Sequence, residues 1–394
     1  MGKWANKSDW PISWCSLDKN VCHILGISHC NNYLDAIKIN WTNIYTKIES
    51  YIRVLNCRKL NLLQRASYVN TCILSKAWYV AHIYPLCNDV YIKVKKAIFK
   101  YIWVGNYEPI KRTTICMKKD FGGLGVFEFM TKATGLIVNS FLRTYLLEKG
   151  NQGLILYYCQ EKIKYWIPRD CNSPMIYGSP SPYYKYIMNL IIKCQDNVKF
   201  PIFKNKELYN IFLKTEPVTV ENKYPLFNWK RIWKNFNNSM IIMYKKEFLY
   251  KHLHEVLAVG KRLYEFGMNS SGVCGLCGYE ESAIHLFYFC DKVKPVFRWL
   301  LDIIERVCLF KPSNNIKFIY LDFKITEFSK RNMCILLLYS YLYAVWSVRA
   351  NRNIDFAGIK NVVVKNYQDN VTDLKLLLGG NVGKYFGNLL NLQL

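Results

Sequence analysis

The chain has 394 residues, which is enough for two or three domains with separate hydrophobic cores. Hydrophobic residues make up 51% of it and aromatic residues 16%, so a largely disordered protein is excluded. The 54 Lys and Arg residues outnumber the 28 Asp and Glu residues and leave a formal net charge of +26. A field of that sign attracts polyanions, and we therefore expect RNA or DNA as a partner.

The N-terminal residues predict the cellular compartment. Met1 to Asn6 lack the apolar stretch of a signal peptide, and Asn6 stands where a myristoylation signal has Ser or Thr. We expect an intracellular protein whose 15 Cys are mostly reduced thiols. The longest apolar run, Met333 to Val348, is shorter than the roughly 20 residues that a bilayer requires. It predicts a buried helix and no membrane partner.

Three amphipathic stripes follow one another in the first half of the chain. The first runs from Trp41 to Leu55, with Asn40 placed to cap the helix that it predicts. The second runs from Leu62 to Val80, and the third from Val90 to Ile102. Three successive amphipathic helices predict a bundle.

Basic side chains accompany the last two of these helices. Lys93, Lys96 and Lys100 are spaced so that they share one exposed side of the third helix. Arg58 and Arg65 accompany the neighbouring helix. Two interpretations stay open at this point, a solvated face and a face that follows the phosphates of a nucleic acid.

A glycine-rich segment, Lys118–Gly125, predicts a tight turn, and a helix should follow from Phe129 to Gly150. The turn lacks the Gly-Lys-Ser/Thr of a phosphate-binding P-loop and the strand-then-helix context of a dinucleotide site, so we interpret it as structural. Residues 151–228 contain seven of the 12 prolines and show little periodicity. They predict an irregular connector.

The second half of the chain returns to helical patterns. Helices are predicted at 241–252, 293–307 and 327–352, and a weaker one near Asn370 ends at Gly379 and Gly380. The predicted fold class is therefore predominantly α: a helical bundle, an irregular connector, a small zinc knuckle and C-terminal helices. Short strands are expected only near Ile24 and around the knuckle.

One group of residues has specific chemistry. A Cys-x2-Cys-x7-His-x4-Cys pattern can bring three thiolates and one imidazole around a tetrahedral Zn²⁺. Its members are Cys274, Cys277, His285 and Cys290. Four protein ligands leave no position for water, so this zinc would be structural rather than hydrolytic. His252 and His254 lie upstream as competing ligands, although surface or capping roles are the commoner interpretation of such residues.

Catalytic motifs are scarce. Asp322 and Lys324 form an isolated Asp-x-Lys of the kind that arises by chance. Tyr33–Ala36 resembles a polymerase Tyr-x-Asp-Asp box but has one carboxylate, whereas two-metal phosphoryl transfer requires paired acidic ligands. We therefore expect no catalytic residue in this chain.

Three groups of segments are distinctive. The first comprises Asn61–Ala66, Leu74–Tyr79, Ile98–Trp103 and Gly122–Gly125, and the second comprises His254–Leu257, Gly260–Leu263, Cys274–Gly278 and His285–Cys290. Trp346 and Arg349 resemble a later Trp-x-x-Arg-Asn motif in which Ala350 displaces the Asn. Together these segments resemble the non-LTR (LINE-type) retrotransposon reverse transcriptases: the first group is similar to the region just after the polymerase palm, and the second to the C-terminal zinc-binding domain of the family.

The resemblance covers most of residues 21–355 and implies which activities and which domains to expect in this chain. In the family, the catalytic carboxylates lie on palm strands that precede the strand resembled by His23–Ile27, so we expect no polymerase or endonuclease activity here. The domains implied are a remnant of the palm edge (1–35), a thumb-like helical domain (36–150), the connector (151–228), the zinc-binding domain (229–310) and a C-terminal helical region (311–394).

The function implied is that of a nucleic-acid-binding part of such an enzyme. Lys93, Lys96 and Lys100, with Arg58 and Arg65, would contact RNA or DNA, and a nuclear location would follow. The palm or endonuclease part of a related element protein is a further expected partner. Two alternatives stay open: a stand-alone zinc-containing protein-interaction module, and an accessory subunit of a polymerase whose palm is encoded separately.

Overall fold

The computed structural model describes residues 21–147, 181–194, 204–213, 218–268, 271–351, 353–387 and 390. These residues are mostly helical and include one two-stranded sheet, so the predicted predominantly α fold is confirmed. The chain divides into two compact units. The first comprises Met1–Lys59, Arg65–Glu108 and Val126–Thr215; the second comprises Leu60–Gln64, Pro109–Gly125 and Glu216–Leu394.

The first unit combines a β-hairpin with helices. Its elements are β1 (Val21–Ile24), β2 (Ile27–Cys30), α1 (Tyr33–Asn56), α2 (Leu62–Tyr68, whose first residues belong to the second unit), α3 (Trp78–Ala81), α4 (Asn88–Trp103), α6 (Phe129–Leu147), α7 (Pro182–Cys194) and α8 (Asn205–Phe212). A π-helical turn, Val69–Ile73, and a 3-10 turn, Leu74–Ala77, join α2 to α3. The second predicted stripe is therefore helical throughout, although it is not one regular α-helix.

Helix α1 begins earlier than its apolar stripe predicts. It starts at Tyr33, and the side chain of Asn32 caps it by accepting from the Leu34 amide at 2.9 Å. The predicted cap, Asn40, is instead buried within the helix, where its side chain accepts from Ser28 N at 2.9 Å and donates to Ser28 O at 2.7 Å. The cap prediction was wrong because Asn40 lies inside α1, where its side chain binds backbone groups of Ser28 in strand β2 and the carbonyl of Ala36 one turn earlier.

The core of the first unit lies between α1, α4 and α6. Trp41 of α1 is fully buried, and its indole N–H donates to Pro85 O at 2.7 Å. Val94 and Ile98 are the buried face of α4, as the third stripe predicts. A second part of this core lies in the predicted connector, because Ile187 of α7 and Leu208 of α8 are buried against α6. This part of residues 151–228 is thus helical and packed.

The second unit is helical. Its elements are α5 (Arg112–Cys116), a 3-10 turn (Lys119–Phe121), α9 (Thr219–Lys223), α10 (Trp229–Asn238), α11 (Met243–Leu253), α12 (Gly260–Glu265), α13 (Lys294–Cys308), α14 (Ile316–Ile319), α15 (Phe328–Val348), α16 (Phe356–Leu378), a 3-10 turn (Gly379–Asn381) and α17 (Val382–Phe386). Helix α15 is apolar on all sides and is buried by α13, α16 and α17, as expected for the long apolar run. Among the described residues, no helix combines the length and apolar composition that membrane crossing requires.

The glycine-rich turn has a structural role. Gly122 has φ +79°, and a Cβ there would approach the Trp233 ring at 2.6 Å. A Cβ on Gly123 would lie 1.9 Å from Met117 O. Gly122 O accepts from the Tyr250 hydroxyl at 3.0 Å and from His254 Nε2 at 2.9 Å. The turn is thus used for close packing within the second unit.

Candidate functional site

The first half of the Cys/His cluster lies on a tight hairpin in the second unit. Val273 and Glu280 form an isolated antiparallel bridge, and Cys274 N donates to Tyr279 O at 2.6 Å. Gly278 N closes the turn by donating to Cys274 O at 2.9 Å, with φ +83° at Gly278. The hairpin turns both Cys274 and Cys277 toward one point, so the two-residue spacing has its expected effect.

The second half of the cluster lies on a π-helical turn, His285–Phe289. The His285 amide donates to Ser282 Oγ at 3.1 Å, and Cys290 N donates to His285 O at 2.7 Å. This wider turn places residues five apart on the same side. It explains how the x4 spacing brings Cys290 beside His285.

The four predicted ligands converge. The ligand atoms of Cys274, Cys277, His285 and Cys290 all lie within 4.8 Å of one another. Cys277 Sγ is 3.1 Å from His285 Nε2, and Cys274 and Cys290 are buried. Three sulfurs and one imidazole nitrogen around a single point are the donor set of a structural zinc site. The geometry therefore fits a tetrahedral metal ion.

The protonation of the thiols is shared within the cluster. The hydrogen bond from Cys290, with help from the Leu276 and Cys277 amides, lowers the pKa of Cys274 to about 4 against the effect of burial. The same hydrogen bond and burial raise the pKa of Cys290, and burial raises the pKa of Cys277. A divalent cation would displace these shared protons, because the thiolate is the metal-binding form.

Glu281, which sequence reasoning missed, connects the knuckle to the rest of the unit. Its buried carboxylate accepts from Gly260 N at 2.7 Å and lies 3.9 Å from Arg349 Nε. Burial raises the pKa of Glu281, whereas the hydrogen bond from Gly260 lowers it. The available sequence signal was an acidic residue beside the knuckle. Such a carboxylate orients the segment that carries the ligands.

The knuckle also packs on the end of α15. A Cβ on Gly275 would lie 2.3 Å from Arg349 O, so only glycine permits this approach. The guanidinium carbon of Arg349 lies 3.5 Å from the centroid of the Trp346 ring. The Trp-x-x-Arg segment therefore supports the knuckle from outside.

His252 and His254 do not belong to the Cys/His cluster, nor do they lie on the surface. His252 Nε2 lies 3.0 Å from Ile319 O, and His254 Nε2 lies 2.9 Å from Gly122 O. Burial lowers the pKa of each to about 4, although these carbonyl contacts act in the opposite direction. Both imidazoles are therefore neutral at pH 7.

This burial predicts that acid destabilises the second unit. A histidine whose pKa falls from about 6.5 unfolded to about 4 folded contributes stability above pH 6.5 that is lost as the pH falls toward 4. Each histidine should lower the free energy of unfolding by up to about 1.4 kcal/mol per pH unit in that window. Denaturant unfolding from pH 7 to pH 4 tests this, with His254→Gln expected to reduce the slope. An unchanged slope in that variant would contradict it.

The predicted nucleic-acid contacts differ in exposure. Lys93, Lys96 and Lys100 are exposed along one side of α4, and Arg58 is exposed just after α1. Arg65 is only 6% exposed. Its Nη1 donates to Tyr101 O at 3.0 Å, and its guanidinium packs on the Tyr101 ring. The prediction of a direct phosphate contact was therefore wrong for Arg65, because the guanidinium is used to bind a carbonyl at the end of α4.

The isolated Asp-x-Lys of Asp322 and Lys324 is structural. Asp322 accepts from Asn228 N at 3.0 Å and pairs with Arg231 at 3.3 Å. The Asp322 carboxylate thus connects the loop after α14 to the start of α10.

Two comparisons with known proteins agree with this site. Residues 203–297, which include all four ligands, match a family model described as zinc-binding in reverse transcriptase. A Xenopus laevis protein described as the Transposon TX1 uncharacterized 149 kDa protein is 25% identical over 142 residues, which cover 34% of this chain and 10% of that protein. These matches show that residues 203–297 resemble a zinc-binding region of reverse transcriptases and that about a third of the chain is similar to part of a transposon protein.

Proposed function

We propose that this protein binds nucleic acid as part of a retroelement reverse transcriptase, with a structural Zn²⁺ in its second unit. The exposed lysine face of α4 carries this proposal. Lys93, Lys96 and Lys100 lie on it, and residues 47–105 contain ten basic and two acidic residues. Positive charge of this density on helices supports sequence-independent contact with phosphates.

The metal would be held by the four converging side chains. Cys274 and Cys277 would hold it from the hairpin, and His285 and Cys290 from the π-helical turn. When bound, Zn²⁺ supplies a cross-link between the hairpin and the π-helical turn. Its proposed role is structural, because four protein ligands complete a tetrahedral coordination sphere.

We also propose that the chain does not polymerise DNA on its own. Two-metal phosphoryl transfer needs paired carboxylates, and Asp35 is the single acid of the Tyr33–Ala36 segment. A primer-extension assay with Mg²⁺ should give no product, and extension would refute this part.

A nuclear location is proposed with the same function, and imaging of a tagged chain tests it.

The expected signature of phosphate binding is a steep salt dependence. Removing one cation that binds a phosphate should reduce the slope of log Kobs against log salt by about 0.7 for a single strand and about 0.9 for a duplex. We expect replacement of Lys93, Lys96 and Lys100 by Ala to reduce the slope by roughly 2 for a single strand and by roughly 3 for a duplex. Fluorescence anisotropy of labelled RNA and DNA at several salt concentrations measures it.

A charge-matched variant controls for net charge. Lys38, Lys185 and Lys206 are also exposed in the first unit but lie off the α4 face, so replacing them by Ala removes the same charge. The proposal predicts a smaller change in slope for this variant. Equal changes would contradict a specific α4 face, and absence of salt-sensitive binding would favour a stand-alone protein-interaction module.

A second candidate is an accessory subunit of a polymerase whose palm is encoded separately. Exposed apolar side chains at the turn of the hairpin favour it, since Ile24 is 55% exposed and Leu25 84%. Exposed apolar groups that lie close together mark interaction surfaces. Co-purification with a separately expressed palm, lost on Leu25→Asp, would support this candidate.

A further inference from the structure

A cavity of about 630 Å³ lies in the first unit, between the C-terminal parts of α1 and α4. Its apolar lining comes from Ile52, Ala97 and Val104. The volume is within the range of roughly 300–1,000 Å³ that is typical of small-ligand sites. Such sites combine an apolar lining with a few polar groups that orient the ligand.

The polar groups at this cavity are mainly cationic. Arg53 and Lys100 line it and are exposed. In the described part of the chain, neither side chain has a hydrogen-bond or ion-pair partner. The acidic residue of the lining is Glu49, whose carboxylate already accepts a hydrogen bond from the Tyr45 hydroxyl. Two cations therefore remain for an anionic ligand.

The third cation of the lining, Arg65, has a different role. Both α1 and α4 end at this cavity, and helix C-termini carry partial negative charge. Arg65 Nη1 offsets this charge by donating to Tyr101 O at 3.0 Å and to Asn56 Oδ1 at 3.4 Å. In the second contact the side-chain oxygen of Asn56 faces Arg65, so the NH2 group of Asn56 can still donate a hydrogen bond. Arg65 is thus a positioning residue.

We propose that this cavity binds one nucleotide of a single-stranded nucleic acid. The base would lie on the apolar lining formed by Ile52, Ala97 and Val104, and the phosphate would contact Arg53 and Lys100. A base that is paired and stacked in a duplex cannot enter a cavity, whereas an unstacked base of a single strand can. The inference rests on the proposed function and specifies its substrate class as single-stranded.

The first test fills the cavity without changing charge. Ala97→Phe in the full chain adds a ring at the cavity lining, so we expect the affinity for a fluorescein-labelled oligouridylate to fall about tenfold. Affinity for a labelled RNA duplex should be unchanged. Circular dichroism of the variant checks that α4 is still folded.

The second test compares two lysines on the same helix. Lys100 lines the cavity, whereas Lys96 is exposed on α4 and does not line it. We expect Lys100→Ala to lower the ratio of single-strand to duplex affinity severalfold, and Lys96→Ala to lower both affinities while the ratio stays constant. These two variants decide the question even if Ala97→Phe does not fold.

The outcomes separate the two proposals. Loss of the single-strand preference in Ala97→Phe and Lys100→Ala supports the nucleotide pocket. If both variants keep the wild-type ratio while salt-sensitive binding persists, the pocket is refuted and the proposed function stands. If the wild-type chain binds neither oligonucleotide with salt sensitivity, the proposed function itself fails.

Discussion

Replacing one sulfur ligand of the cluster, in Cys277→Ser, is expected to abolish stoichiometric zinc and to unfold much of the second unit. Cys277 is only partly buried, so the substitution removes little packing, and the destabilisation should come from the metal. Structural Zn²⁺ contributes on the order of 10 kcal/mol to the folding of small zinc domains, which is comparable to the whole stability of an ordinary domain. Metal analysis and thermal denaturation, each with and without a chelator, measure both effects.

A second cysteine provides the control for that experiment. Cys57 is exposed in the first unit, outside the cluster, and Cys57→Ser should retain one zinc and the wild-type denaturation curve. Chelation of the wild-type chain should reproduce the Cys277→Ser result. A Cys277→Ser protein that keeps a full equivalent of zinc and the wild-type Tm would rule out this metal centre.

Gly275→Ala is expected to have the next largest effect. The added Cβ would lie 2.3 Å from Arg349 O and 3.1 Å from the Cα of Ala350, so the knuckle or the end of α15 must move. Both nearest groups are backbone, which cannot rotate away as a side chain can. We expect a decrease of about 3 kcal/mol in the free energy of unfolding and weaker zinc binding. Denaturant unfolding and competition with a zinc chelator measure these changes.

Gly383 offers the matched substitution. It lies in α17, and a Cβ there would meet nothing within 4 Å. Gly383→Ala should therefore be neutral or stabilising by up to about 1 kcal/mol, because alanine favours the helix. If Gly275→Ala were equally neutral, the docking of the knuckle on α15 would be refuted.

Local patterns predicted the helices and the convergence of the four Cys/His residues. The apolar stripes of α1 and α4 predicted their buried faces, since a helix repeats every 3.6 residues wherever it packs. The length and composition of Met333–Val348 predicted the buried α15. The spacing of Cys274, Cys277, His285 and Cys290 sufficed because all four lie within 17 consecutive residues. Short-range geometry determines such a site almost completely.

Features that depend on distant contacts were missed or assigned wrongly. The sequence suggested that Asn40 caps a helix, since it does not show that the side chain of Asn40 binds Ser28 of strand β2. Arg65 resembled a phosphate contact, although the carbonyl that it binds belongs to Tyr101, 36 positions away.

Contacts between residues far apart in sequence also determine the two sites on which the functional proposals rest. The knuckle is supported by Glu281 and by Arg349, which come together only when α15 packs beside it. The α1–α4 cavity joins Arg53 to Lys100, 47 positions apart, and no periodicity relates them. The net charge, the helices and the Cys/His cluster follow from composition, periodicity and spacing, and these three properties belong to the sequence itself. Packing decided which charged groups remain accessible to a ligand. A buried cation needs a hydrogen-bond partner within the fold, and a nearby backbone carbonyl provides it.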